Sequence, residues 1–215
     1  MEHAMRLNML ACLALTCSCA FAQNGADDGE LDPVGPHWVA QRAGTKLYRF
    51  SARVEVLPYS QLQVSGLRIH DRRTGKLRQE FTRLDGGAVH GLPDQMVRMV
   101  DANFDGEPDI ALAMDMASPN DRFNYYLYNP GTRRFVLEPT LSKLSLVKLN
   151  ADHTITSYAN GGCCHELEAR YRYIDGRLTQ VYSMETITLS PNRVEVKKGK
   201  RVNGRMKYQT VVKEQ

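Results

Sequence analysis

The chain has 215 residues, of which 42% are hydrophobic and 24% are charged, and its formal net charge is +4. This length suits one domain with tails, and the composition is typical of a soluble globular protein. The composition excludes a wholly disordered chain, which would contain fewer apolar residues and carry more net charge.

The N-terminus has the order of a secretory signal peptide. Arg6 precedes an apolar run at residues 7–21, and residues 20–22 form an A-x-A cleavage site. The run is too short to cross a bilayer as a helix, so we expect no stable membrane span. Cys17 and Cys19 raise a lipid-anchored alternative, but neither follows a convincing Leu-x-small lipobox. We therefore predict that residues 1–22 are removed and that the protein is periplasmic or secreted.

The remaining sequence divides into three predicted parts: a flexible lead-in rich in Gly, Asp and Pro at residues 23–43, a β-domain at 44–190, and a basic C-terminal β-hairpin extension at 191–215. No stretch of ten or more residues has helical periodicity. Short alternating segments separated by turn signals predict an all-β fold, either an antiparallel β-propeller-like arrangement of hairpins or a β-sandwich. The predicted strands cover residues 47–57, 61–71, 77–84, 96–100, 110–114, 123–129, 133–139, 146–149, 154–158, 167–174, 177–189 and two segments of 193–214.

The most informative stretch is residues 101–109, with the pattern D-x-N-x-D-G-x-x-D. Calcium takes about six to eight oxygen ligands, and the glycine at position 6 permits the sharp turn around the ion. The alternative is an Asp/Asn/Gly turn that binds no metal, because these residue types also favour turns. The predicted calcium ligands are Asp101, Asn103, Asp105, Glu107 through its main-chain carbonyl, and Asp109, directly or through water.

Two departures separate this loop from an EF-hand. Position 12 is Leu112, where an EF-hand supplies a bidentate glutamate, and position 8 is Pro108. The flanking residues 96–100 and 110–114 are typical of strands and not of helices. We therefore predict a structural calcium site between two strands, with no open position for chemistry.

A second unusual stretch, residues 157–166, places two glycines before the adjacent cysteines Cys163 and Cys164. These cysteines could form a vicinal disulfide, remain free or pair between chains, or bind a metal with His165. The metal is the weakest alternative, because neighbouring strand residues point to opposite faces. We predict a disulfide in a rigid, exposed loop. The candidate partner-binding residues are Tyr158, Asn160, Gly161, Gly162 and His165.

The C-terminal residues 193–214 carry eight Lys or Arg residues against two Glu residues, a local charge of +6. One interpretation is binding to nucleic acid or to an anionic surface. The other is an edge hairpin whose lysines prevent edge-to-edge aggregation. The second suits an exported protein better, and we predict no nucleic-acid partner.

No signature of a serine hydrolase, zinc protease, P-loop or dinucleotide-binding protein is present, so we predict that the protein is not an enzyme. Tyr125, Tyr126 and Tyr128 are expected to be half-buried strand residues, unless they form an exposed aromatic face.

Three segments in order carry a family resemblance: DANFDGEPDIAL, FNYYLYNPGTRRFV and SYANGGCCHELEARYRYIDGRL. Over about residues 95–185 they resemble a secreted β-rich family represented by a xanthomonad immunity protein that neutralises a lysozyme-like type IV secretion effector. That family is similar in fold to the periplasmic inhibitors of i-type lysozyme. The resemblance implies a propeller-like or sandwich-like domain, structural calcium, and a loop that blocks a lysozyme's cleft. No stretch maps onto the cleft-plugging motif.

Two functions follow from these features. The first is a periplasmic, calcium-stabilised inhibitor or immunity protein that binds a lysozyme-like peptidoglycan hydrolase. The alternative is a cell-surface or carbohydrate-binding module, which would present Tyr125, Tyr126 or Tyr128 openly beside the calcium loop.

Overall fold

The computed structural model describes residues 33–116 and 119–214, so the predicted signal peptide lies outside the described residues. The described residues form β-strands in three antiparallel sheets, with two 3-10 turns at Pro93–Gln95 and Leu141–Lys143 and no α-helix. This confirms the all-β prediction, whereas the propeller-like or sandwich arrangement stays a prediction. No helix in this part of the chain is long and apolar enough to cross a membrane.

The first sheet has the strand order β1-β2-β3-β4, and β5 pairs with the start of β3. Alternate residues of β2 are buried, as expected for a strand with one face on the core. The strands are β1 (Val34–Gly44), β2 (Tyr48–Val56), β3 (Leu62–Asp71), β4 (Leu77–Thr82) and β5 (Ala88–Val89).

The second and third sheets are also built from strands that are consecutive in the chain. The second has the order β6-β7-β8-β9, and the third has the order β10-β11-β12-β13-β14-β15. The strands of the second are β6 (Val97–Val100), β7 (Asp109–Asp115), β8 (Arg122–Asn129) and β9 (Arg134–Leu137). Those of the third are β10 (Lys148–Leu149), β11 (Ile155–Asn160), β12 (His165–Ile174), β13 (Arg177–Ser190), β14 (Arg193–Val202) and β15 (Arg205–Glu214).

Strand β7 connects the two hydrophobic cores. Its first six residues are all buried, because the run is apolar on both faces after Asp109. Ile110 and Leu112 belong to a cluster shared with the first sheet. Ala111 belongs to a second cluster that includes Ile155 of the third sheet. The second sheet therefore has packing partners on both sides of its most apolar strand.

The prediction of a flexible lead-in at residues 23–43 is wrong for its second half, which forms most of β1. The backbone of β1 pairs with the edge of β2. The Arg68 guanidinium lies 3.9 Å from the Trp38 ring centroid. The Gln41 side chain donates to the Pro93 carbonyl at 2.9 Å and accepts from the Val97 amide at 3.1 Å. These contacts order a segment whose composition alone is typical of a linker.

The predicted hairpin extension at residues 191–215 is not a separate part of the fold. β14 pairs with β13 along nearly its whole length, so the third sheet continues without interruption into β15. The hairpin turns at residues 175–176 and 203–204 have positive φ at both positions, as a type I′ turn requires. The Asp-Gly and Asn-Gly sequences at these positions are typical of this turn.

We expect Leu112→Ala to lower the free energy of unfolding by about 2–5 kcal/mol, because it leaves a cavity in the core shared by the first and second sheets. Leu112 is fully buried, whereas Leu77 is 48% exposed on β4. Leu77→Ala is therefore the matched control and should change stability by less than about 0.5 kcal/mol. Urea unfolding of both variants measures the difference, and equal losses would contradict the packing described here.

Candidate functional site

The predicted metal loop, residues 101–109, connects β6 to β7 and is closed by its own side chains. The Asp101 carboxylate accepts hydrogen bonds from the Asp105 amide at 3.1 Å and the Gly106 amide at 3.0 Å. The Asn103 side-chain oxygen also accepts from the Asp105 amide, at 3.1 Å. Asp105 in turn accepts from the Glu107 amide at 2.8 Å. The backbone turns sharply at Phe104 and Gly106, with φ of 61° and 88°.

Asp109 stands apart from the other loop carboxylates because it is completely buried. One of its oxygens accepts from the Ala102 amide at 2.9 Å, and the other accepts from the Tyr128 amide on β8 at 2.8 Å. Burial raises the pKa of the Asp109 carboxyl to about 6, although the two amide hydrogen bonds lower it. The nearby charges of Asp105 and Asp101 contribute to this rise in the pKa. Asp109 therefore ties the loop to the core of the second sheet.

The donor chemistry of the loop suits a hard cation, since every predicted ligand atom is an oxygen. The geometry is that of a closed turn, in which the side-chain oxygens of Asp101, Asn103 and Asp105 face amides of the loop itself. No group of three or more His, Cys, Asp or Glu side chains is arranged to hold a metal ion within residues 33–116 and 119–214. Calcium binding by the five predicted residues stays a prediction.

The metal loop also contacts the third sheet through a ring stack. The Phe104 and His153 rings lie 5.1 Å apart between centroids and are inclined by only 5°. His153 lies in the turn between β10 and β11, so this contact joins the loop to the start of β11. An open cleft of about 350 Å³ lies here, lined by Asn103, Phe104, Asp152, His153, Arg172 and Tyr173.

The predicted partner loop, residues 158–166, comprises the end of β11, a short turn and the start of β12. Its tip, residues 161–164, is exposed, and Tyr158 is 43% exposed. The Gly161 amide donates to the His165 carbonyl at 2.8 Å, and the Gly162 amide donates to the Asn160 side chain at 2.9 Å. These bonds brace the tip from within.

Neighbouring segments hold the same loop from outside. Asn120, just before β8, exchanges two hydrogen bonds with the backbone of Asn160, at 2.8 and 2.9 Å. The His165 ring nitrogen lies 2.8 Å from the Glu185 carboxylate on β13. A cleft of about 200 Å³ beside the loop is lined by residues that include Leu146, Tyr158, Asn160, Glu166 and Met184. The arrangement is an exposed, tethered turn next to a small depression, which can contact another protein.

Cys163 and Cys164 are free and exposed at the tip of the partner loop. A hydrogen bond with Cys163 is the main cause that raises the pKa of the Cys164 thiol. The predicted vicinal disulfide would require oxidation of this pair, and it stays a prediction.

The two predicted sites are not brought together. The metal loop contacts the turn before β11, whereas the exposed tip of the partner loop, residues 161–164, lies after β11. β11 has six residues, so roughly 17 Å of strand separates its two ends. An ion bound in the metal loop would therefore not contact the tip of the partner loop, and it could affect the tip only through the strands between them.

Tyr125, Tyr126 and Tyr128 do not form an exposed aromatic face. Their relative exposures are 5%, 1% and 8%, lower than the half-burial expected from the sequence. Tyr126 packs against Phe81 at 4.5 Å between ring centroids, and Tyr128 packs against Phe135 at 5.0 Å. The feature that would have favoured a carbohydrate-binding module beside the metal loop is absent at these three positions.

An apolar cleft of about 560 Å³, which the sequence did not predict, lies between the β1–β2 turn and the metal loop. Tyr48 lies in its wall, where burial is the main cause that raises the pKa of the phenol to about 12. No local motif marks this cleft, because its walls come from three sequence-distant segments. They include Leu47, Tyr48, Met99, Pro108, Tyr128 and Phe135.

The residues that position the two loops were also not predicted from the sequence. Asn120, His153 and Glu185 hold them through contacts across different strands or turns. The spacing of these residues carries no signal, since the contacts depend on strand pairing and packing. An asparagine in a polar segment before a strand is too common to identify Asn120.

The fold is similar to that of a solved protein described as a Xanthomonas type IV secretion system related protein. The two chains are 14% identical with a TM-score of 0.59, and the match covers 80% of this chain and 92% of the other. At this identity the likeness concerns the fold. No protein-family model and no curated protein sequence matches the chain.

We expect Asp109→Asn to lower the free energy of unfolding by about 1–3 kcal/mol even when a chelator removes all calcium. The reason is that the asparagine amide group cannot accept one of the two backbone hydrogen bonds that the carboxylate accepts now. Denaturant unfolding in chelator measures the change. The matched control is Asp85→Asn in an exposed loop, and equal stability of the two variants would contradict the bridging role of Asp109.

Proposed function

We propose that the chain is an exported, protein-binding β-domain that inhibits a lysozyme-like peptidoglycan hydrolase without performing catalysis itself. The fold match to a protein related to type IV secretion is consistent with this function. The hydrolase partner is inferred from the three segments that resemble the immunity-protein family. The periplasmic or secreted location is inferred from the predicted signal peptide. The propeller-like or sandwich-like arrangement that the resemblance implies is part of the same proposal.

The observation that carries this proposal is the tethered turn at residues 158–166. Binding loses less conformational entropy when the contacting loop is already ordered, so a braced and exposed turn is a suitable inhibitory element. Asn120 and Glu185 hold the two sides of the turn, while its tip remains exposed. We assign the contact to Tyr158, Asn160, Gly161, Gly162 and His165.

The carbohydrate-binding alternative depended on an open tyrosine face beside the metal loop. Tyr125, Tyr126 and Tyr128 are buried, so this alternative has no specific observation in its favour.

We further propose that the metal loop binds calcium as a permanent structural ion. Asp101, Asn103, Asp105, the Glu107 carbonyl and Asp109 would hold it, and its positive charge would offset the repulsion between the loop carboxylates. The support is the oxygen-only donor set and the three carboxylates carried on residues 101, 105 and 109. The loop's position between β6 and β7 means that such an ion would stabilise the second sheet.

We expect calcium to raise the melting temperature of the parent protein and chelator to reverse the effect. At about a 100-fold excess over the dissociation constant, the ion should add about 2–3 kcal/mol. Asp101→Ala and Asp105→Ala should each abolish this gain, whereas Asp85→Ala, an exposed acidic residue elsewhere, should retain it. Identical melting of the parent with calcium and with chelator would refute calcium binding and would leave the partner proposal untouched.

We expect the purified protein to bind and inhibit a lysozyme-fold hydrolase, and we would test it first against the products of neighbouring genes. Tyr158→Ala should weaken inhibition at least about tenfold, because an exposed tyrosine at the centre of a contact commonly contributes more than about 1.4 kcal/mol. The matched control is Tyr208→Ala on β15, where the tyrosine is similarly exposed at 52%.

Equal inhibition by the two tyrosine variants would exclude the partner loop as the contact. Failure of the parent to bind any hydrolase in the presence of calcium would reject the inhibitor function itself.

A further inference from the structure

The β14–β15 hairpin forms the free edge of the third sheet, and its register defines two faces. Residues directly opposite one another share a face, and alternate residues along a strand lie on opposite faces. Lys198 is opposite Gln209, Lys200 is opposite Lys207, and Val202 is opposite Arg205. Lys213, opposite Val194, belongs to the same face. We call the five cations Lys198, Lys200, Arg205, Lys207 and Lys213 the cationic face.

The charges of the hairpin are sorted between these faces. Both of its acidic residues, Glu195 and Glu214, lie on the face opposite the cationic face, because they are opposite Val212 and Arg193. Lys197 lies with them, 3.8 Å from the Glu185 carboxylate and 5.2 Å from the Tyr208 ring centroid. The cationic face therefore carries five positive charges and no negative charge on these two strands, whereas the opposite face carries three positive and two negative charges.

The five cations are exposed, and none makes an ion pair with another residue that the structure describes. Lys200 and Lys207 are directly opposite each other, an arrangement in which like charges destabilise a sheet. Lys198, Lys200, Arg205 and Lys207 fall within roughly 14 Å along the strands, given about 3.4 Å per residue. The side chains of the cationic face therefore repel one another, and an external anion bound there would reduce this electrostatic repulsion.

Protection of an edge strand does not require this sorting. Lysines deter edge-to-edge pairing on either face of β15, and the acids could be interspersed among them without loss of that effect. Segregation of both acids to one face instead leaves only positive charges on the other face of the hairpin. A patch with one sign of charge is the property that binding to an anionic surface uses.

We propose that the cationic face docks the protein onto an anionic phospholipid surface. The face is an extended sheet surface with exposed Val202 and Val211 among its cations, which suits a flat array of headgroups. A single-stranded nucleic acid would be bound in a groove with aromatic stacking platforms, and the hairpin's aromatic residue, Tyr208, lies on the other face. Clusters of about four to eight Lys or Arg residues are typical of anionic lipid binding.

The test is co-sedimentation of the purified exported protein with vesicles that contain phosphatidylglycerol, compared with vesicles of pure phosphatidylcholine. We expect binding only to the anionic vesicles, weakened by added salt. Lys198→Gln with Lys200→Gln should lower the partition coefficient about 25-fold, and Lys207→Gln alone about fivefold.

The matched control is Arg193→Gln with Lys197→Gln, which removes the same charge from the opposite face of the same strand and should change binding less than about threefold. The Lys207→Gln variant relieves the Lys200–Lys207 repulsion, so it remains folded and keeps the test decisive.

Three results would overturn the proposal. Equal losses in the two double variants would mean that net charge alone attracts the protein. Equal binding of the parent to both kinds of vesicle would remove the lipid specificity. Stronger binding to heparin than to anionic vesicles at the same salt concentration would assign the face to a polymeric anion instead.

Discussion

The buried carboxylate of Asp109 connects the metal loop to the hydrophobic core. β7 is buried on both faces from its first residue, so the polar metal loop enters the protein interior at Asp109. Asp109 makes this possible because it accepts amide hydrogen bonds from the loop at Ala102 and from β8 at Tyr128. The backbone pairing of β7 with β8 ends at Ile110 and Tyr126. Beyond this pair, the Asp109 side chain accepts the hydrogen bond from the Tyr128 amide of β8. Loop closure and sheet formation are thereby coupled.

Much of the strand layout could be predicted, because alternation and turn chemistry are local properties. The Asp175-Gly176 and Asn203-Gly204 turns were recognisable from two residues each, and the hydrogen-bonded polar loop at 101–109 from its spacing. β1 was missed since the Gly, Pro and Asp residues in and before it are typical of a linker. Its order as a strand depends on pairing with β2 and on the contacts of Trp38 and Gln41 with distant residues. The grouping into three sheets depends on packing that no local pattern contains.

The candidate sites also combine features that local sequence predicts with features that depend on packing. The residue types of the metal loop and the partner loop were visible in the sequence, but the residues that hold them were not. Asn120 lies 40 positions from Asn160, and Glu185 lies 20 positions from His165. For the C-terminal hairpin, composition showed an excess of positive charge, whereas the separation of charges onto two faces followed only from the register of β14 and β15.

The meander order of the sheets has a consequence for how the chain folds. Apart from β5, each strand pairs with a neighbour in sequence, so the chain closes short loops to form each sheet. Loop-closure entropy rises with loop length, and non-local pairing is what makes most all-β proteins slow to fold. Here each sheet can form as its own strands become available, in order from the N-terminus. The double-sided burial of β7 then means that the second sheet acquires its full stability only when the first strands of the third sheet pack against it, which places this packing late in folding.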